Sequence, residues 1–292
     1  MAINANGSAQ PHVVTGHQLI SIGIVTYKSD SALLDGTLRA LCAARREVLT
    51  VEKTESCVQV VVNDPQPARY ADVERLVENT NAAFPDLLPI EILKTEKNIG
   101  YGAGQNRAML HSDGDYCLIL NPDVEMCTSA LVESVRFLKR NPATAMVVPQ
   151  GYDVGGNYAR LAKRYPSLLV LALRWLAVGP SKLTIGRYVS NYVYDDVLPS
   201  STPTSVCLAS GCFMFCRGQV WREEGGFDER YYLYFEDYDL SLRVGRRGEI
   251  VELPGVEVVH HGGGTARFNL RRLMLFLSSA FKFFRKNEWK WI

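Results

Sequence analysis

Several stretches of the sequence combine residue types that could carry out chemistry. The stretch YYLYFEDYDLSLR, residues 231–243, sets Glu236, Asp237 and Asp239 directly behind a run of aromatic side chains. Partial burial beside aromatic rings raises the proton affinity of a carboxylate, and a general base needs this property. The same acids suit the first turn of a helix, because the helix dipole favours negative charge there. A catalytic role and a capping role are both open.

The stretch NPD, residues 121–123, follows an apolar strand. We expect Asp123 at the strand end, with its carboxylate in a crevice where a hard divalent cation could bind it together with the phosphate oxygens of a substrate. The alternative is that Asn121 and Asp123 form an ordinary turn.

The stretch VVHHGGGT, residues 258–265, sets His260 and His261 at a strand end before three glycines. Consecutive strand residues point to opposite sides, so at most one of the two imidazoles is expected to reach a given metal. An imidazole beside one carboxylate favours manganese over an all-oxygen magnesium site. A purely structural role for both histidines is the alternative.

A glycine-containing stretch, EKNIGYGAGQNRAM at residues 96–109, lies between a strand and a helix. Backbone amides at such a helix start favour an anion, so a phosphate site is open here. A dinucleotide fingerprint would follow the first strand, which instead ends in TYKSD without glycines. A nicotinamide enzyme is therefore disfavoured.

Strand and helix signals alternate through the first half of the chain. The strand signals cover residues 19–27, 57–64, 90–98, 115–123 and 144–150, and the helix signals cover residues 33–45, 103–112 and 129–141. This alternation predicts an α/β fold with a mostly parallel central sheet flanked by helices. Ligands bind such sheets beyond the carboxyl ends of the strands. The side chains expected there are Thr26, Tyr27, Asn63, Asp64, Asn98, Asn121 and Asp123.

The pattern changes after residue 150. Residues 151–203 are rich in Gly, Tyr, Ser and Pro, with one apolar helix-like patch near 167–178, and we interpret them as an insertion that shapes a second binding surface. Strand composition returns at 205–217, interrupted by Ser210 and Gly211. Residues 249–261 predict two short strands around a Pro-Gly turn.

Length and composition limit the class of protein. The 292 residues, 47% of them hydrophobic, can build one large domain or two small ones. The formal net charge of +1 gives no basic field, so general nucleic-acid binding is not expected. The seven cysteines are odd in number and form no CxxC pair, which favours reduced thiols in a reducing cytosol.

The two ends of the chain differ from the middle. Residues 1–18 lack the pattern of a signal peptide and predict a flexible tail, and the longest apolar run, 168–178, is too short to span a bilayer. Residues 266–292 carry seven Lys or Arg against the single acid Glu288, with aromatic residues between them. This composition suits an anionic membrane surface. The alternative is a helix that docks on the core or on a second subunit of a homo-oligomer.

Taken together, these stretches resemble the inverting glycosyltransferases of family 2, which have the GT-A fold. The likeness is strongest to bacterial rhamnosyltransferases of surface-polysaccharide assembly. The shared pieces occur in family order across roughly residues 19–265; they read SIGIVTYKSD, VVVNDP, NIGYGAGQNRA, LILNPDV, RYPSLL, ASGCFMFCRG, GGFDERYYLYFEDYDLSLR and VVHHGGGT. The resemblance implies a donor half at 19–150 and an acceptor half at 151–265.

The resemblance also implies a role for each site residue. Asp237 would deprotonate the acceptor hydroxyl, and Asp123 with His260 would bind Mn²⁺ or Mg²⁺ on the donor diphosphate. The implied donor-binding residues are Thr26, Tyr27, Asn63 and Asp64 at the nucleoside, Asn98, Gly100, Gly104, Asn106, Asn121 and Asp123 around the donor pocket, and Ser210 and Gly211 beside the sugar. Many relatives read VDN where this chain reads VND, which leaves open whether Asn63 or Asp64 meets the base. NPD also lacks the first aspartate of the DXD motif.

The implied activity is transfer of L-rhamnose from dTDP-L-rhamnose to a lipid-linked or polysaccharide acceptor. The implied location is the cytoplasm, at the inner face of the plasma membrane. One alternative is transfer of galactofuranose or a hexose from a UDP-sugar. Another is a catalytically silent module that binds a nucleotide sugar.

Overall fold

The structure is a computed structural model that describes residues 18–110, 113–176, 185–262 and 270–292. The expected N-terminal tail lies outside the described residues, apart from residue 18, as do the ends of two expected helical stretches at 111–112 and 177–178. The glycines and threonine at 263–265 and the first residues of the C-terminal segment, 266–269, also lie outside them.

Strands and helices alternate along the described chain. The strands are β1 Gln18–Thr26, β2 Thr54–Val62, β3 Ile90–Lys94, β4 Tyr116–Leu120, β5 Val124–Met126, β6 Thr144–Tyr152, β7 Thr204–Ser205, β8 Phe213–Arg217 and β9 Glu249–His260. The helices are α1 Ser31–Glu52, α2 Pro67–Ala83, α3 Tyr101–Ala108, α4 Ala130–Arg140, α5 Leu168–Trp175, α6 Gly186–Tyr192, α7 Gly218–Glu224, α8 Glu236–Val244 and α9 Leu270–Lys286.

One mixed sheet forms the centre of the fold, in the order β3-β2-β1-β4-β8-β6-β9-β5, with β7 on β9. The four strands from β3 to β4 are parallel, as is the pair of β6 and β9. β8 runs antiparallel to β4 and β6 because the chain enters it at the carboxyl end of β4, where Phe213 pairs with Leu120. The predicted α/β class with a central sheet flanked by helices is confirmed, and parallel pairing dominates only in the first half.

The burial of the first strands in the core explains why they could be predicted from the sequence. Ile20, Ile22 and Ile24 on one face of β1 are buried against Leu34 and Leu38 of α1. Strands that are covered on both faces read as nearly continuous apolar runs, and β1 and β2 have this character.

Three local predictions are corrected by the structure. Residues 249–260 form one strand, β9, and the Pro-Gly sequence makes a bulge in its pairing with β6, where Gly255 takes a φ of +89°. The strand expected over 205–217 is reduced to β7 and β8, because Leu208 between them pairs with Lys163 and the Gly211 N–H donates to the Asp237 carboxylate instead of to a strand. The sequence predicts Arg243, Arg246 and Arg247 in the last turn of the helix that begins at the three acids; α8 ends at Val244, so Arg246 and Arg247 lie beyond that turn.

The C-terminal helix α9 docks on the core of its own chain. Phe283 and Phe284 are fully buried, and the Phe283 ring lies 5.2 Å from the Phe235 ring. After α9, the carbonyl of Lys290 accepts a hydrogen bond from the Leu168 N–H at 2.9 Å. Docking on the core is therefore observed, and contact with a membrane or a second subunit stays a prediction. No helix among the described residues is long and apolar enough to cross a membrane.

Candidate active site

The carboxyl ends of β1 and β2 form a narrow cleft. Thr26 and Asp64 are both buried and line it, together with side chains from the starts of α1 and α2. Arg69 also lines this cleft, and sequence reasoning did not single it out. Tyr27, which follows Thr26, is 45% exposed beside the cleft, with the Lys28 ammonium 5.3 Å from its ring centroid.

The neighbours Asn63 and Asp64 have different environments. The amide of Asn63 donates to the carbonyl of Gly100 at 2.9 Å and accepts from the N–H of Ile99 at 2.9 Å, so it fixes the 95–100 loop. Asp64 accepts one hydrogen bond from the Gln66 N–H, and its Oδ2 is buried without a partner among the described residues. Because an unpaired buried oxygen is costly, Asp64 is the better placed of the two to receive a donor group from a ligand.

The loop before α3 depends on Gly100. Its φ is +93°, and a Cβ there would lie 2.5 Å from the carbonyl oxygen of Tyr232, so only glycine fits without strain. Asn98 stabilises the same turn by accepting from the Gly100 N–H at 2.9 Å. The loop is thereby held against the residues that precede α8.

Two other predicted donor residues make packing contacts within the protein. Gly104 faces β1, where a Cβ would lie 2.9 Å from the side chain of Val25. The amide of Asn106 donates to the carbonyl of Phe227 and accepts from the Phe227 N–H, both at 2.8 Å. Through these contacts α3 packs against β1 and against the turn at Phe227. Donor binding by Gly104 or Asn106 stays a prediction.

The pairing of β5 with β9 brings Asp123 beside His260. Val124 lies opposite His260 in this ladder, and the His260 Nε2 is 3.5 Å from the Asp123 Oδ1. That Oδ1 is buried and has no hydrogen-bond partner among the described residues. His261 points elsewhere, with its Nε2 3.1 Å from the Glu125 carboxylate. The two imidazoles thus face different carboxylates, but β9 ends at His260, so the expected strand alternation does not extend to His261.

Asp237 is held in the first turn of α8 by backbone donors. Its Oδ2 accepts from the Gly211 N–H at 3.1 Å, and its Oδ1 accepts from the Tyr238 N–H at 2.9 Å. The carbonyl of Gly211 in turn accepts from the Tyr101 hydroxyl at 2.6 Å. Ser210 lies next to Gly211, and its Oγ accepts from the Cys212 N–H at 3.4 Å. The carboxylate is therefore fixed relative to residues 210–212.

Burial raises the proton affinity of both acids at the start of α8. Desolvation raises the pKa of Asp237 to about 6, against the opposing effect of its backbone hydrogen bonds. Desolvation, followed by the charge of Asp237, raises the pKa of Glu236 to about 8. Because the two neighbouring acids are both buried, the pair resists losing both protons at once.

The aromatic run before α8 stabilises a strained turn. Tyr234 and Phe235 both have left-handed backbones, with φ of +70° and +67°, and each such residue costs on the order of 1–3 kcal/mol. Phe235 is buried and packs 5.2 Å from the ring of Phe276. This packing holds the turn that directs Glu236 and Asp237 into the site.

Asp239 has a structural role other than capping, since among the described residues no side chain forms a capping hydrogen bond at the start of α8. It is buried and binds Arg243 at 2.8 Å and Lys286 of α9 at 2.6 Å. Of the three acids in this stretch, Asp239 is structural, and the other two face a pocket.

Residues 211 and 212 connect the two acidic parts of the site. The carbonyl of Cys212 accepts from the Asn121 N–H at 2.9 Å, so the NPD turn and Asp237 are both tied to this short segment. Desolvation raises the pKa of the Cys212 thiol to about 12. The Ser210 hydrogen bond opposes this rise, and the negative charges of Asp123 and Asp237 both add to it. Asp123 and Asp237 therefore lie around one segment of backbone.

A cavity of about 370 Å³ opens beside Asp237 and Glu236. We call it the aromatic pocket; its rings are Tyr192, Tyr234, Phe235, Tyr238 and Phe276. Arg174 of α5 and Arg272 of α9 also line it. Sequence reasoning placed a second binding surface in 151–203, and α5 and α6 supply part of this pocket.

The fold and these acidic groups define a class of protein. The architecture is that of GT-A glycosyltransferases, and the solved structures with a similar fold include three such enzymes. GalNAc-T7 with UDP, GalNAc and Mn²⁺ has a TM-score of 0.60 at 12% identity, over 87% of this chain and 45% of that one. Staphylococcus aureus TarS 1–349 has a TM-score of 0.52 at 14% identity, over 92% of this chain and 73% of that one. The mannosyltransferase PcManGT from Pyrobaculum calidifontis, with GDP-Man and Mn²⁺, has a TM-score of 0.57 at 16% identity, over 93% and 65%.

Sequence comparison gives the family. Residues 21–218 match the model of glycosyl transferase family 2, and the chain belongs to that family. The N-acetylglucosaminyl-diphospho-decaprenol L-rhamnosyltransferase of Mycobacterium tuberculosis H37Rv is 28% identical over 223 residues, which cover 72% of this chain and 71% of that protein. The rhamnosyltransferase WbbL of Escherichia coli K12 is 24% identical over 203 residues, covering 66% and 70%. The protein is thus a family 2 glycosyltransferase with rhamnosyltransferases among its relatives.

Proposed function

We propose that the protein transfers L-rhamnose from dTDP-L-rhamnose to a hydroxyl of a lipid-linked or polysaccharide acceptor, with inversion at the anomeric carbon. The observation that carries this proposal is the position of the Asp237 carboxylate. It borders the aromatic pocket, and hydrogen bonds of residues 211–212 connect it to the turn that contains Asp123. The names of the two relatives support rhamnose as the sugar.

In the proposed reaction, Asp237 takes the proton of the acceptor hydroxyl. The acceptor oxygen then forms its bond to the anomeric carbon as the bond from that carbon to the diphosphate oxygen breaks, and dTDP leaves with the electron pair. Attack from the side opposite the leaving group inverts the configuration. The raised pKa of Asp237 suits this step, because a base works best when its pKa lies near the operating pH.

Asp123 and His260 fit a divalent cation. The buried, unpaired Oδ1 of Asp123 and the nearby imidazole are one oxygen and one nitrogen donor, and no cluster of three or more potential ligands occurs within the described ranges. Two protein ligands leave coordination positions for donor phosphate oxygens. Bound Mn²⁺ or Mg²⁺ would neutralise charge on the departing diphosphate. The Mn²⁺ in the titles of two similar structures supports this assignment.

Thermal shift and transfer assays with a panel of nucleotide sugars test the proposal. With Mn²⁺, dTDP-L-rhamnose is expected to raise the melting temperature and to be turned over, because a bound donor stabilises the fold by mass action. A response only to UDP-sugars would show that the donor is a UDP-sugar and not dTDP-L-rhamnose. Donor binding without hydrolysis or transfer to any acceptor would indicate a silent binding module instead.

We also propose that the exposed face of α9 contacts an anionic membrane surface from the cytoplasmic side. Leu270, Met274, Leu277 and Phe281 are spaced along one side of the helix and are each more than half exposed. The exposed basic residues Arg271 and Arg285 flank this stripe. Apolar residues beside basic ones suit the boundary between anionic headgroups and acyl chains.

Replacing Met274 and Leu277 by Ser is expected to lower co-sedimentation with phosphatidylglycerol vesicles by about tenfold per side chain, because apolar burial is lost. Removing α9 is a poor test, since it would uncover Phe235. Val154→Ser, at another exposed apolar side chain, is the matched control and should bind as wild type does. Equal binding of the double variant and the wild type would refute the membrane contact.

A further inference from the structure

Tyr101, the first residue of α3, lies between the two chain segments that hold Asp237. Its backbone N–H donates to the carbonyl of Tyr232, in the turn before α8, at 3.3 Å. Its hydroxyl donates to the carbonyl of Gly211 at 2.6 Å. The proposed reaction assigns no role to this side chain. Through these two hydrogen bonds, one residue of α3 contacts both the turn that leads into Asp237 and the segment that binds its carboxylate.

The direction of the Tyr101 hydroxyl is fixed by a second partner. The amide of Gln105, which is fully buried one turn later in α3, donates to the hydroxyl oxygen at 3.1 Å. Because that oxygen accepts from Gln105, its own proton can go to the carbonyl of Gly211. The Tyr101 ring also packs edge-on, 6.0 Å from the ring of Phe227. Both the ring and the hydroxyl of Tyr101 are therefore held in place.

Gly211 fills the space between Tyr101 and Asp237. A Cβ on Gly211 would lie 3.3 Å from the Tyr101 ring and 3.4 Å from the Cβ of Asp237. The N–H of the same glycine donates to the Asp237 Oδ2. After desolvation, this hydrogen bond has the largest effect on the pKa of Asp237, and it lowers that pKa. A displacement of Gly211 would therefore change both the position and the proton affinity of the carboxylate.

The loss of the Tyr101 hydroxyl would change no charge at the site. Desolvation raises the pKa of Tyr101 well above its usual value, so the hydroxyl stays protonated near neutral pH. The other titratable or charged groups around Asp237 are Glu236 and Tyr238 of α8, Arg174 of α5, Tyr192 of α6, Arg272 of α9, and Lys163 and Cys212. All of them remain when only the hydroxyl of Tyr101 is removed.

We propose that Tyr101 is a positioning residue for the catalytic base: its hydroxyl holds Gly211, and the Gly211 N–H in turn holds the Asp237 carboxylate toward the acceptor hydroxyl. This inference rests on the proposed transferase function and adds to it a residue of α3 that acts through Gly211. A base that is slightly displaced loses its alignment with the acceptor hydroxyl, and this loss lowers the rate of the chemical step more than it weakens binding.

Tyr101→Phe keeps the ring and removes only the hydroxyl. In a transfer assay with dTDP-L-rhamnose and an alkyl glycoside acceptor, this variant is expected to lower kcat about tenfold, because the base is no longer held in line. The donor affinity and the acceptor KM should change by less than about twofold, since the hydroxyl binds Gly211 and not a substrate.

The pH dependence is a readout that a loss of stability alone would not move. The Gly211 N–H stabilises the ionised form of Asp237, so its displacement should raise the pKa of Asp237 above about 6. In Tyr101→Phe the rise of kcat/KM with pH should therefore move upward by about 0.5–1 pH unit. A ¹³C NMR titration of the aspartate carboxyls, assigned with Asp237→Asn, should show the same shift without any substrate.

Tyr194→Phe is the matched control. The Tyr194 hydroxyl accepts from the Cys207 N–H at 3.0 Å, so it also binds the backbone of the segment that leads to Gly211. This variant should lower the melting temperature about as much as Tyr101→Phe does, because each loses one hydrogen bond. It should leave kcat and the pKa of Asp237 unchanged. An equal fall of kcat in both variants would overturn the positioning role of Tyr101.

The remaining outcomes separate this inference from the proposed function. If the wild type transfers sugar and Tyr101→Phe matches it in kcat and in pH dependence, the positioning role is overturned while the transferase function stands. If the wild type turns over no donor, the transferase function falls and the NMR titration decides. A raised pKa of Asp237 in Tyr101→Phe then supports the link through Gly211, and an unchanged pKa overturns it.

Discussion

Asp237→Asn is expected to lower the transfer rate by about 10²–10⁴-fold while donor affinity changes little, because the amide cannot accept the acceptor proton. The amide has nearly the size of the carboxylate and can still accept one of the two backbone hydrogen bonds that hold Asp237. Transfer rates and donor affinity, measured by calorimetry with Mn²⁺, would show the effect. Asp35→Asn, at a surface aspartate paired with Arg39, is the control for the chemical change and should leave both quantities unaltered. Turnover of the Asp237 variant close to that of the wild type would assign the base to another group.

The same assignment makes a prediction about pH. Because the base must be ionised, kcat/KM should rise tenfold per pH unit below about 6 and level off above that value, where Asp237 loses its proton. Glu236→Gln removes the acid that feels the charge of Asp237, and the pH at which the rate rises should stay close to that of the wild type. A rate that is flat between pH 5 and 7 would contradict this assignment.

Asp123→Ala is expected to abolish the dependence of donor binding on a divalent cation. In the wild type, Mn²⁺ should strengthen dTDP-L-rhamnose binding strongly, and in the variant the affinities with Mn²⁺ and with EDTA should be the same. Transfer should fall by about 10³-fold, since stabilisation of the leaving group by a metal contributes several kcal/mol. Calorimetry of the donor with and without metal measures the first effect.

Adjacent histidines supply the matched pair for this experiment. His260→Ala removes the imidazole beside Asp123 and should weaken the Mn²⁺ effect, whereas His261→Ala removes the one beside Glu125 and should not. Equal effects of the two substitutions, or a strong Mn²⁺ response in Asp123→Ala, would exclude the metal site at this position.

The parts of the fold that depend on local apolar runs could be predicted from sequence. The stretches expected as strands at 19–27 and 144–150 match β1 and β6 closely, because both are buried along most of their length. α2 was not predicted, since only Val73, Val77 and Thr80 are buried and its apolar stripe is weak. The Pro-Gly turn within β9 was misread as a break, because a bulge and a hairpin share the same residues.

The site shows the same division between local and long-range information. The acids and histidines could be identified by type, but the contact of Asp123 with His260 depends on β5 pairing with a strand that comes much later in the chain. Nothing in the local pattern VND indicates that Asn63 holds a loop while Asp64 faces the cleft. Arg174 and Arg272 could not be assigned to the pocket from the sequence, because no local sequence pattern connects α5 with α9.

The left-handed turn at Tyr234 and Phe235 has a consequence for the timing of activity during synthesis. Its support comes from Phe276 and Phe283 of α9, which leave the ribosome after every acid of the site. A nascent chain that has folded its sheet and already contains Asp123, Asp237 and His260 still lacks the packing that holds the base in place. Catalytic competence should therefore appear only when α9 closes over the turn, and a growing chain that lacks α9 would not consume donor prematurely.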